Sequence, residues 1–428
     1  MAKHRNLVTS LEEGLQRVPL LDVHTHLDAA HLSARGLADI LLYHMVVSDL
    51  RSAGCPSGHR VEEGTEADRI REALPFLRYI RNTSCFYGVR IILRDLYGFD
   101  GEINEATWEG LDESIRAAAE DPRWPRQILR RAGIQRAMTQ YEGRRDGRAD
   151  DCLQYSFEET AFCRVSSAEP RDAPLRELER VSGQAVATLE DVHQALQAYF
   201  AQIPYGQVLT FAHHLSTDIA YRPVTAEEMA AALRQRREPS VPLAIRDVYS
   251  NYLLGALLAE LERHSEEIVF QFSFGAEPLA HETASKSKPD TLFELAELLA
   301  RFPKLRFNLF LASVQASQSL CTIARQCPNL SFSAYWWHNF FPSTIRQLMH
   351  ERLDMLALNQ QIGFFSDAYC AEWAYAKAVL VRQELARVLA EKVERGQYTE
   401  DLALEIARHL FWETPQTLLG MRPGAFEE

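Results

Sequence analysis

Two histidines spaced i, i+2, His24 and His26 in DVHTHLD, follow directly on an apolar run near the N-terminus. Side chains two apart on a strand share a face. Both imidazoles would therefore leave the end of that strand in one direction, as a divalent ion requires of neutral nitrogen donors. Asp367, in GFFSDAY, is an acid directly after a second apolar run. It could complete a His-His-Asp ligand set or move protons as a base. An Asp standing alone before a helix would sooner be a cap; the two histidines favour the metal role. His213 and His214, in TFAHHLS, end another run. One of the two is expected to face the mouth, where a metal or acid/base role is open to it and His213 would be a substrate contact, and a polar strand end is the alternative. Arg164, in FCRVSS, could hold a carboxylate by paired charge-assisted hydrogen bonds or serve a structural ion pair. Trp336 and Trp337, in AYWWHN, could wall a substrate pocket or fill a core. His44, in LLYHMVV, sits on an otherwise apolar helix, where a lone histidine is ordinarily a core or interface residue. No GxGxxG follows a strand, and no GxxxxGK[ST] or GxSxG is present.

The elements that must position these residues alternate. Eight apolar runs read as strands: LLDVHTHL, IQRAMTQ, TAFCRVSS, QVLTFAHHL, EIVFQFSFG, LRFNLFLAS, LSFSAYWW and IGFFSDAY. Segments of helical periodicity such as Thr225–Arg237, Tyr252–Ser265, Thr291–Phe302 and Ser343–Asn359 lie between them. Eight strands alternating with helices is the count of a (β/α)8 barrel. Ser10 with Glu13 spells a capping box that opens a helix before the first strand. The division expected is residues 1–26 for that helix and strand, 27–131 for a helical insertion over the barrel mouth, and 132–428 for the rest of the barrel and C-terminal helices. The stretch 27–131 is too long for a simple connection.

Composition narrows the function. Over 428 residues, 46 basic against 59 acidic side chains leave a net charge of −13. Without a long basic run, nucleic acid and anionic membranes are poor partners. No apolar stretch reaches the roughly 18 residues of a membrane span, and the charged N-terminus lacks the apolar core of a secretory signal. Seven cysteines with no CxxC read as reduced thiols of a cytoplasmic protein. The partner expected is a small molecule, and a homo-oligomer is compatible with this size.

HTHLD, SDA and YWWHN in this order, with LLYH, IRDVYSNYLL and the closing IARHLFWETPQTLLG, resemble the uronate isomerase (glucuronate isomerase) family of the amidohydrolase superfamily along almost the whole chain. The resemblance implies a distorted barrel, one divalent metal, often zinc, and aldose–ketose interconversion of a hexuronate by proton transfer. It assigns His24 and His26 as ligands, Asp367 as ligand or proton-transferring base, Arg164 as a carboxylate contact and His44 as a residue near the mouth. The chain also departs from the family. Tyr369 stands where an arginine is usual and would be a substrate contact here; Met45, Val314, Ser273 and Glu277 replace tyrosine, arginine, histidine and a basic loop start. An arginine's paired bonds to a carboxylate are not replaced by Val or Tyr. Activity on glucuronate or galacturonate is therefore expected to be weak or absent unless Arg164 and another cation suffice, and the alternative is a metal-dependent hydrolase or lyase acting on a less anionic substrate.

Overall fold

The computed structural model describes residues 2–56, 64–141, 152–158, 170–215, 220–236, 243–275, 291–336 and 338–421. Eight parallel strands pair in chain order: β1 Leu20–Asp22, β2 Ile134–Gln140, β3 Leu153–Glu158, β4 Thr210–Leu215, β5 Val269–Phe274, β6 Phe307–Leu311, β7 Leu330–Ser333 and β8 Gln361–Ile362. With helices between most successive strands, this is a (β/α)8 barrel. β1 and β8 share no ladder. Their extensions close the barrel instead, with Asp367 N–H donating to His24 O at 2.9 Å and His26 N–H to Ala368 O at 2.9 Å.

Period-2 alternation explains the strands. On β5, Phe270, Phe272 and Phe274 pack outward under the helices, while Gln271 and Ser273 point inward. Each phenyl removed from water contributes about 2–3 kcal/mol. The interior is polar and hydrogen-bonded: Thr210 donates to Ser156 Oγ at 2.7 Å, and Asn308 Nδ2 to Ser331 Oγ at 2.9 Å. Partners at these distances remove the cost of burying such groups.

Two expectations need correcting. The third strand of the sheet is Leu153–Glu158, ahead of the run from Thr160, which lies outside the described residues. LQYSFE alternates apolar with polar residues, so a search for continuous apolar runs passes over it. The N-terminal helix runs unbroken from Ala2 to Gln16, so Ser10 does not open a helix; its hydroxyl sits mid-helix.

Seven α-helices stand between β1 and β2 among the described residues. The helix Ser84–Tyr97 packs on the long helix Ala371–Glu394, which also touches the helices Ala2–Gln16, Trp124–Ala132 and Pro342–Met355. AEWAYAKAVL buries nearly its whole circumference because its alanines let neighbouring helices approach. Gly88 marks the closest approach: a Cβ there would lie 2.7 Å from the Trp373 ring. That ring is held 4.6 Å from the Tyr43 ring and 5.3 Å from the Phe340 ring. Gly88→Ala gains about 1 kcal/mol of helix propensity but overpacks at a cost of about 1–3 kcal/mol. A melting temperature lowered by about 2–4 °C is expected; a thermal melt at or above the parent's would show that the ring gives way.

Candidate metal centre

His24, His26 and Asp367 converge at the seam where β1 and β8 close. Asp367 Oδ1 lies 3.5 Å from His24 Nε2 and 3.2 Å from His26 Nε2. The three ligand atoms fall within 4.8 Å of one another, the one such His/Cys/Asp/Glu group among the described residues. Tetrahedral ligands held about 2.0–2.2 Å from a zinc ion are about 3.4 Å apart. The donors and their spacing therefore fit a divalent ion.

The local sequence builds this arrangement in three parts. Asp22, His24 and His26 share one face of β1 and its extension, and the His24 ring meets Phe310 edge-on at 4.9 Å. Asp367 adopts φ 53°, a left-handed conformation rare for any residue with a Cβ, though Asp tolerates it better than most. The surroundings hold it there. Its carbonyl accepts from Tyr43 Oη–H at 2.7 Å and from Lys377 Nζ at 3.3 Å, while Ser366 N–H donates to Asp22 Oδ1 at 2.8 Å. Asp367 is not a cap: the following helix starts at Ala371, and Cys370 is its N-cap.

Electrostatics prepare the ligands. Burial pushes Asp367 up, but the His26 hydrogen bond and the Lys377, His24 and His26 charges outweigh it and hold the carboxyl at about 2, fully ionised near neutrality. Burial, then the neighbouring His26, lowers His24 to about 4, leaving it a neutral donor. Burial also lowers His26, yet the hydrogen bond and charge of Asp367, with Glu158 behind them, leave it above its ordinary value. Burial lowers Lys377 to about 8 against the Asp367 and Asp22 charges.

No protein-family model matches the chain. Over 115 residues it is 27% identical to the uronate isomerase of Thermotoga petrophila, a match spanning 27% of this chain and only 26% of that protein. Likeness of structure extends much further. The glucuronate isomerase of Caulobacter crescentus superposes with a TM-score of 0.79 at 17% identity, over 98% of this chain and 95% of that one. The uronate isomerase of Thermotoga maritima gives 0.78 at 16% identity, over 97% of each chain. The fold is that of the uronate isomerases.

Within the barrel, the residues singled out from sequence fall at different places. His44 is exposed beside the mouth, its ring 5.6 Å from that of Tyr369. Tyr369 stacks on His26 at 4.8 Å and stays 54% exposed, so a ligand could reach its other face. Of the β4 pair, His214 faces inward, its Nδ1 2.8 Å from Ser273 Oγ and its ring 6.2 Å from Trp336. His213 instead turns outward to the Phe270 ring at 6.0 Å, on the face where Phe211 also packs. By the one-residue alternation of β4, it is His214 and not His213 that faces the barrel interior, so His213 is not placed to meet a substrate there. Arg164 and Trp337 lie outside the described residues. Tyr43, Lys377, Asp22 and Glu158 were not singled out. The signal for three of them was an acid or lysine inside an apolar or alternating run, in LLDVH, LQYSFE and AYAKAVL.

Proposed function

We propose that the chain is a metal-dependent isomerase that interconverts aldose and ketose forms of a hexuronate or related sugar acid, with one divalent ion, zinc above all, held by His24, His26 and Asp367. The carrying observation is this His-His-Asp cluster, with ligand-like spacing, at the mouth of a uronate-isomerase-type barrel. When bound, the ion supplies positive charge against which negative charge develops on the sugar oxygens. The chain's own groups do the rest. With its carboxyl at about 2, Asp367 is a weak base and suits ligation. His44, exposed beside the mouth, would as a neutral imidazole accept the proton that passes between neighbouring carbons. Tyr369 offers an aromatic face to the sugar ring, and Arg164 a cation for its carboxylate.

Six cysteines among the described residues are free thiols, which supports a cytoplasmic location. No helix among the described residues is long and apolar enough to cross a membrane.

Glucuronate and galacturonate incubated with zinc- or manganese-loaded protein test the reading by proton NMR. Ketose signals that vanish when the metal is chelated are expected, at turnover below that of ordinary uronate isomerases. Cleaved fragments in place of an isomer would sink the reading in favour of hydrolysis or lysis.

A further inference from the structure

The helix Ala371–Glu394 buries a lysine for which packing alone gives no reason. Lys377 is 1% exposed. Its ammonium lies 4.3 Å from the Phe340 ring centroid and 5.1 Å from that of Tyr43. Methionine would fill the same space without a charge to desolvate. What the ammonium reaches is backbone: it donates to the carbonyls of Ser366 and Asp367 and to Tyr43 Oη at 3.1 Å. Tyr43 in turn donates to Asp367 O at 2.7 Å. These carbonyls flank the residue held at φ 53°.

We infer that Lys377 and Tyr43 form a buried clamp that positions the Asp367 carboxylate between His24 and His26 by satisfying the carbonyls its left-handed backbone turns inward. The inference rests on the metal-centre reading above. A left-handed Asp persists only where its surroundings over-determine it, and a buried carbonyl without a donor favours another backbone conformation. Without the clamp, Asp367 relaxes to ordinary φ and its carboxylate swings away from the histidines. The clamp also links the segment between β1 and β2, through Tyr43, to the ligand. Lys377 and Tyr43 are positioning residues, since neither touches the ion.

The test uses the full chain stripped of metal and titrated with cobalt(II), reading affinity and visible absorption, with circular dichroism reporting the fold. Lys377→Met is expected to bind cobalt about 10–100-fold more weakly than the parent, the range for groups that orient metal ligands, and with an altered absorption band. Tyr43→Phe keeps the ammonium and is expected to weaken binding several-fold. A merely structural lysine would lower the melting temperature and leave the band and affinity unchanged; that result overturns the clamp. If Lys377→Met does not fold, Tyr43→Phe decides, and parent-like affinity and absorption there overturn the clamp as well. A parent chain that binds no cobalt sinks the metal centre itself, a separate outcome.

Discussion

Asp367→Asn is expected to cost more than about 100-fold in metal affinity and about 1,000-fold in turnover while leaving the barrel folded. The substitution keeps the shape of the side chain. It also keeps the backbone bonds at this position, because Tyr43 and Lys377 hold the Asp367 carbonyl and His24 O accepts its N–H. What it removes is the charged oxygen 3.2 Å and 3.5 Å from the two imidazoles. Loss of a group that merely orients a ligand typically costs about 10–100-fold in affinity, so loss of a ligand costs more. Removing one group that stabilises developing charge costs about 100–1,000-fold in rate, and here the ion that supplies the charge goes too. Metal content per chain after gel filtration, circular dichroism and isomer formation together check this. Full metal occupancy with turnover within tenfold of the parent would show that Asp367 is no ligand. His26→Ala, which removes a nitrogen donor instead, should lose metal in the same way.

The parts of this molecule that sequence reveals are those whose period shows. Alternation along VFQFSF places three phenyl groups outward and Gln271 and Ser273 inward, and the i, i+2 spacing of His24 and His26 puts both on one face. The (β/α)8 order follows from strand-like runs recurring between helical segments. β3 is hidden because half of LQYSFE is polar and its Tyr155 and Phe157 are only partly buried, so no continuous apolar run marks it. The direction of His213 against His214 could not be read, since each choice of register is consistent with an apolar run that continues to Leu215. The clamp was beyond local pattern altogether. Tyr43 and Lys377 are 334 residues apart and meet only because barrel closure brings β8 beside β1. A lysine in AYAKAVL signals that something must compensate its charge, but not what.

Metal affinity is expected to fall about tenfold per pH unit as pH drops below the His26 titration, a loss of about 100-fold between pH 6.5 and 4.5. An imidazole must lose its proton to ligate. His24, at about 4, is already neutral across this range and exacts nothing. His26 is raised above 6.5, because Asp367 outweighs the opposing effect of burial, so its proton alone competes with the ion. A second proton enters only near pH 4, where the slope should steepen to two. Stability of the metal-free chain runs the other way. A base whose folded value is raised contributes stability that is complete below its unfolded value of 6.5 and is lost as pH climbs through the folded value. The paired carboxyl, depressed from 3.8 to about 2, contributes above 3.8 and is lost as pH falls toward 2. The metal-free protein therefore gains most from the His26–Asp367 pair between about pH 4 and 6.5, where it binds metal more weakly than at neutral pH. The rise in melting temperature on adding saturating zinc must then grow from pH 5 to pH 7.5, since stabilisation follows the logarithm of ligand over dissociation constant. In Asp367→Asn the acidic limb should move to lower pH, because the group that raises His26 is gone, even as the plateau affinity drops. Calorimetric titration at four pH values separates the two effects: a limb that stays in place with only a lower plateau would mean that Asp367 does not set the His26 proton.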